Sequence, residues 1–67
     1  MTVGERIRIY RKRNGLTQRE LAEITGLAVG TIQQYELNKR QPRIEMLKTI
    51  AQLLGCTVND LVYDEEE

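Results

Sequence analysis

The stretch over residues 18–37 most constrains the fold of this chain, because it has the pattern of two short helices joined by a sharp turn. Thr17 and Glu20 have the spacing of a capping box, in which each side chain accepts a hydrogen bond from the other residue's backbone N–H. Gly26 follows at the point where a residue in the left-handed conformation commonly ends a helix. The pattern therefore predicts one helix from Gln18 to Gly26, with a second helix directly after it.

Each of these two helices has one apolar face that is expected to pack in the hydrophobic core. Leu21 and Ile24 lie three residues apart and predict the buried face of the first helix. Leu27, Ile32 and Tyr35 predict the apolar stripe of the second. The opposite face of the second helix is small, polar and uncharged, and it consists of Val29, Gly30, Thr31, Gln33 and Gln34.

The segments around this pair also predict helices. Residues 2–14 place Val3, Ile7 and Tyr10 at spacings of four and three, and Asn14-Gly15 follows as a stop signal. Residues 44–54 carry a stripe at i, i+3, i+4 and i+7 that predicts a core helix, and its members are Leu47, Ile50, Ala51 and Leu54.

A last short helix is predicted after Gly55. Thr57 and Asp60 form a cap-like pair at its start. The apolar face of this helix consists of Val58, Leu61 and Val62. The lone Cys56 lies between two helices and is expected to be a small buried apolar residue, since no base or metal ligand accompanies it.

Taken together, these residues resemble the lambda Cro/repressor-like family of helix-turn-helix transcriptional regulators, over about residues 3–62. The motifs that carry the resemblance are Leu16-Thr17-Gln18, Leu21-Ala22, Gly26-Leu27, Thr31-Ile32, Tyr35-Glu36, Lys39-Arg40-x-Pro42 and Leu47-x-x-Ile50-Ala51-x-x-Leu54-Gly55. The resemblance implies a compact, all-α, five-helix domain over residues 1–62, with its helix-turn-helix at residues 18–37. It also implies sequence-specific binding of double-stranded DNA by a small regulator of the repressor type.

The resemblance also assigns expected roles to individual residues. Helix 28–37 would enter the major groove, where base edges are read by Val29, Gly30, Gln33 and Gln34. Phosphates would be bound by Thr17, Gln18, Thr31, Lys39, Arg40, Arg43 and Arg11. In this family the arginine at position 11 also pairs with the glutamate at position 36. Because a glutamine amide matches the edge of adenine and a valine buries a thymine methyl, we expect an A·T-containing site.

Two positions depart from the family pattern. Ala28 and Arg43 stand where the helices beginning at positions 29 and 44 usually have a capping hydroxyl. The loss of a cap lowers helix stability by about 1 kcal/mol. Because Arg43 adds a cation where a cap is lost, it is expected to point at DNA.

The charge distribution fits this interpretation although the formal net charge is zero. Residues 1–59 carry ten Lys and Arg against five acids, a balance of +5, and the other five acids lie in residues 60–67. The acidic tail over residues 63–67 is expected to fray, and it acts either as a solvating segment or as a competitor of DNA. The cations of the first helix form either a solvated face or phosphate contacts.

Self-association is implied by the resemblance, because one recognition helix reads only a few base pairs and such proteins bind two half-sites as dimers. Ile44, Val58, Leu61 and Val62 either form the contact between subunits or complete the core of one subunit. The chain is either a complete small regulator or part of a longer one.

Other classes are less compatible with the composition. With no histidine, no serine and one cysteine, the chain lacks the groups of a metal site or of nucleophilic catalysis, so neither an enzyme, a cofactor nor a small-molecule ligand is expected. No apolar run reaches membrane length, which favours a reducing cytoplasm. The resemblance implies a bacterial or phage protein that associates with the nucleoid. The alternative function is a protein-interaction module, either an antitoxin or an adaptor, with the same fold.

Overall fold

A computed structural model of the chain describes residues 1–62, and these form five α-helices without a strand. The helices are α1 (Val3–Arg13), α2 (Gln18–Thr25), α3 (Val29–Glu36), α4 (Ile44–Leu54) and α5 (Val58–Val62). The predicted all-α, five-helix fold is confirmed. Tyr63 and the acidic residues after it lie outside the described residues.

The helix boundaries follow the capping signals in the sequence. Thr17 caps α2 through the predicted capping box with Glu20, and Gly26 ends the helix at φ 77°. An equivalent capping box between Thr2 and Glu5 starts α1, which the sequence analysis had not identified. Local hydrogen bonds therefore define both helices before any tertiary contact is considered.

One hydrophobic core joins the five helices. Fully buried side chains come from every helix, and the largest are Ile7, Leu21, Ile32, Ile50 and Leu61. The predicted stripe of α4 is buried at all four positions. Since α2 packs on α3 and both contact other helices of the core, the helix-turn-helix is an integral part of the domain.

Ile24 is a correction, because it was expected in the core and is 48% exposed. Successive helix residues are rotated by about 100°, so the buried pair Leu21 and Ala22 centres the inner face of α2 between their two directions. Thr25 lies close to that centre, whereas Ile24 lies more than about 100° away from it. The spacing of Leu21 and Ile24 alone was compatible with two different faces.

Arg6 is a second correction, because the cations of α1 were expected either to be solvated or to contact phosphate. Arg6 is buried beside Ile7, and its Nη1 donates a hydrogen bond to the carbonyl oxygen of Asp60 at 3.1 Å. The bond links α1 to α5. Leu61 of α5 is 0% exposed, so of its two predicted roles the structure supports the one in the core.

The N-terminal turn of α1 packs closely against the end of α3. The backbone N–H of Gly4 donates to Oδ1 of Asn38 at 3.2 Å, and Nδ2 of Asn38 donates to Oγ1 of Thr2 at 2.8 Å. A Cβ atom at Gly4 would overlap the carbonyl oxygen of Tyr35. Asn38 itself has φ 62°, as expected for asparagine in a position that favours glycine.

None of the helices within residues 1–62 is long and apolar enough to cross a membrane.

The close contact of Gly4 with the backbone of Tyr35 predicts that alanine substitutions at Gly4 and at Gly30 change the stability of the fold in opposite directions. Gly4→Ala should lower the free energy of unfolding by about 1–3 kcal/mol or more, because the added methyl group meets backbone that cannot yield without displacing α3. Gly30→Ala is the matched control, because a Cβ there meets nothing within 4 Å, and it should raise stability by about 0.5–1 kcal/mol. Urea unfolding followed by circular dichroism measures both, and equal effects would contradict the proposed close packing.

Candidate nucleic-acid interface

The outer face of α3 presents the uncharged side chains that the sequence analysis assigned to base contacts. Gly30, Gln33 and Gln34 are exposed, whereas Val29 and Thr31 are half-buried. Val29 also packs against the core, so only part of its side chain faces outward. The outer surface of α3 therefore consists chiefly of its two glutamines, with unoccupied space next to Gly30.

The start of α3 lacks a side-chain cap. Ala28 occupies the cap position and provides no hydrogen bond, as expected from the sequence. The helix is held by core contacts of Ile32 and Tyr35 instead. Arg43 likewise gives no side-chain cap to α4, which leaves its guanidinium free for another partner.

A buried ion pair fixes the other end of α3. Nε of Arg11 donates to Oε2 of Glu36 at 2.7 Å, and Nη2 of Arg11 donates to Oε1 at 3.0 Å. The pairing of these two residues that the resemblance implied is therefore confirmed. Nη1 of Arg11 also donates to the carbonyl oxygen of Leu16 at 2.8 Å, so the guanidinium links α1, α3 and the loop that precedes α2.

The same contacts bear on the expected contact of Arg11 with a DNA phosphate. The residue is only 7% exposed, and each of its three guanidinium nitrogens already donates a hydrogen bond inside the protein. Nη1 and Nη2 each keep a second N–H, so the expected phosphate contact of Arg11 stays a prediction. The arrangement makes Arg11 a positioning residue for α3.

Gln18 at the start of α2 joins the same network. Its Nε2 donates to Oε1 of Glu36 at 3.0 Å, and the side chain is half-buried. The amide retains its carbonyl oxygen and a second N–H for an external partner. Thr17, whose hydroxyl oxygen accepts from the N–H of Glu20 at 3.0 Å, is exposed beside it.

The loop after α3 carries the cations predicted to bind phosphate. Lys39, Arg40 and Arg43 are all exposed, while Pro42 between them is buried and anchors the loop. Arg40 and Arg43 border a surface groove of about 450 Å³ that also includes Tyr35. The structure thus places three cations directly beyond the C-terminal end of α3.

A second groove, of about 490 Å³, lies on the opposite side of the α3 C-terminus. We call it the α1–α3 groove, and it is lined by Arg8, Gln18, Gln33, Glu36 and Leu37. Arg8 was not among the predicted site residues. The sequence did contain a signal for Arg8, because it lies four residues after Gly4 and three before Arg11 and therefore shares their face of α1. Both of those residues contact α3.

The remaining chemistry of the described residues is limited. Burial raises the pKa of the Cys56 thiol, with a smaller contribution from Asp60, so the thiol stays protonated and is a poor nucleophile at neutral pH. Within residues 1–62, no group of three His, Cys, Asp or Glu side chains has the arrangement of a metal site. Cys56 is partly buried and packs against the core, whereas the sequence predicted a small buried apolar residue.

Comparison with known families matches residues 7–61 to the family HTH_3, described as helix-turn-helix. The chain belongs to this helix-turn-helix family. Its similarity to phage repressors also confirms the resemblance to the lambda Cro/repressor-like family.

Three relatives illustrate the similarity. The immunity repressor protein of Bacillus phage phi105 is 37% identical over 65 residues, which are 97% of this chain and 45% of the repressor. The P22 c2 repressor, solved with a synthetic operator, has a TM-score of 0.86 and 31% identity over 92% of this chain and 94% of that one. SinR, a regulator of biofilm formation solved with DNA, has a TM-score of 0.83 and 34% identity over 90% and 97% of the two chains.

The chain is shorter than several of these proteins. It spans 45% of the phi105 repressor and 60% of the SinR regulator of Bacillus licheniformis. The similarity therefore covers only part of the length of those relatives.

The buried ion pair generates a stability prediction. Glu36→Gln should lower the free energy of unfolding by about 3–5 kcal/mol, because it leaves the Arg11 guanidinium buried without a compensating charge. The double variant Arg11→Met with Glu36→Leu removes both charges and should be less destabilised than the single variant. Urea unfolding of the three proteins measures the difference, and a Glu36→Gln protein within about 1 kcal/mol of wild type would contradict the role given to the pair.

Proposed function

We propose that this protein is a sequence-specific regulator of transcription that binds double-stranded DNA by inserting α3 into the major groove. The observation that carries the proposal is the exposed, uncharged outer face of α3, with three exposed cations directly beyond its end. The major groove admits one α-helix, and its base edges form distinct patterns of donors, acceptors and methyl groups. The complexes of the P22 c2 repressor and SinR with DNA support the proposal by similarity.

Base recognition is assigned to the outer face of α3. Gln34 is exposed and can donate to and accept from the edge of an adenine, a contact that discriminates between bases by about 1–3 kcal/mol. Gln33 lies beside it, and Gly30 allows a base pair to approach the helix backbone closely. The outward part of Val29 provides an apolar contact for a thymine methyl.

Phosphate contacts are assigned to the surroundings of that face. Lys39, Arg40 and Arg43 supply the charge that α3 itself lacks. Thr17, Gln18 and Thr31 supply uncharged donors that fix the register of the protein on the duplex. Affinity therefore comes mainly from the loop, and specificity comes mainly from the helix.

We further propose that two copies bind one operator as a repressor, with their α3 helices about 34 Å apart on successive turns of DNA. Ile44 at the start of α4 is 52% exposed and is available for a contact between subunits. A protein with this target works in the cytoplasm with the nucleoid, and it has no need of a catalytic group.

The proposal predicts strongly salt-dependent binding. Fluorescence anisotropy on a random-sequence duplex at several salt concentrations should give a plot of log K against log salt whose slope is at least about −3 per subunit in magnitude. Lys39, Arg40 and Arg43 alone account for that value, since each neutralised phosphate contributes about −0.9. An adaptor or antitoxin with the same fold would show weak binding with little dependence on salt. That second result would overturn the proposed function.

The division between helix and loop predicts two different variant phenotypes. Gln34→Ala should relax the preference at one base position of a selected operator and leave binding to random duplex nearly unchanged. Arg40→Ala should weaken binding to all sequences alike and reduce the salt slope by about 1. Selection from a random duplex pool followed by titration measures both, and identical behaviour of the two variants would contradict the division.

A further inference from the structure

Arg8 is held near the proposed interface by its neighbours on α1. Gly4, one turn before it, contacts the end of α3 through Asn38, and Arg11, one turn after it, binds Glu36. Residues separated by three or four positions share one face of a helix. The side chain of Arg8 therefore emerges between two points at which α1 contacts the last turn of α3.

The surroundings of Arg8 have the chemistry of an anion-binding surface. In the α1–α3 groove, Arg8 is exposed next to the amide side chains of Gln18 and Gln33. The acid in this groove, Glu36, is already paired with Arg11 at 2.7 Å. Within residues 1–62, no side-chain hydrogen bond or ion pair involves the Arg8 guanidinium, so its charge adds to the groove.

We propose that Arg8 binds a phosphate of the DNA backbone, on the opposite side of the α3 C-terminus from the 39–43 loop. This inference rests on the proposed function and deepens it, because it adds a contact from α1. Gln33 on the outer face of α3 also lines the groove, so a strand passing the glutamines of α3 comes within reach of Arg8. Cations then contact the duplex from both sides of the inserted helix, which fixes its tilt in the groove.

The test compares Arg8→Gln with Arg13→Gln, an equal change of charge on the same helix. Arg13 is rotated by about 140° from Arg8, and its guanidinium lies 4.8 Å from the centre of the Tyr10 ring, away from the groove. Both variants and Arg8→Lys, which retains the charge, are titrated with a random-sequence duplex and with a selected operator over a range of salt. Thermal unfolding of each variant monitors the fold.

The proposal expects Arg8→Gln to reduce the salt slope by about 0.9 per subunit and to weaken binding to both duplexes by the same factor. Arg8→Lys should keep most of the wild-type slope, and Arg13→Gln should keep all of it. The inference is overturned if Arg8→Gln and Arg13→Gln have equal slopes, or if Arg8→Gln alters only the preference at one base position. If the wild-type protein itself shows no salt-dependent binding, the proposed function fails, and this inference fails with it.

Discussion

The position of α3 depends on the buried ion pair between Arg11 and Glu36. The carboxylate accepts two hydrogen bonds from Arg11 and a third from Gln18, so one buried group connects α1, α2 and α3. A carboxylate so placed avoids the large desolvation penalty of an unpaired buried charge. The geometry of the pair is directional, whereas apolar contacts of Ile32 and Tyr35 would tolerate some rotation of the helix. The pair therefore fixes the direction in which the outer face of α3 points.

A second set of contacts acts at the same end of α3. Asn38 ends the helix in a left-handed conformation and hydrogen-bonds to Gly4 and Thr2 at the start of α1. Together with the ion pair, these bonds attach α1 to the last turn of α3 at two points that lie about two helical turns apart. The uncapped start of α3 has no such support, so the helix is defined more firmly at its C-terminal end. The cations of the 39–43 loop follow directly from that firmly held end.

The sequence predicted most of the fold, because its signals were local. The capping box at Thr17, the left-handed Gly26 and the four-residue stripe of α4 each depend on neighbours within a few positions, and each is present in the structure. The failures concern partners that are distant along the chain. Ile24 and Arg6 were misplaced because spacing gives the faces of a helix only relative to one another, without showing which face another helix will cover. The ion pair was available only through the family resemblance, and the extent to which Arg11 is buried was not available at all. The proposed roles of the exposed site residues stay predictions.

The contrast between Gly4 and Gly30 has a consequence for how the sequence of such a protein can change during evolution. Gly4 lies in a space that no side chain can enter, whereas Gly30 faces open space. Gln33 and Gln34 are exposed as well, and the core beneath α3 is filled by other residues. Apart from Val29, which belongs to both sets, the residues that support the helix are thus distinct from those that face outward. Substitutions on the outer face can therefore accumulate with little penalty in stability. Under the proposed function they would change which operator the protein recognises, so one scaffold could give rise to many regulators.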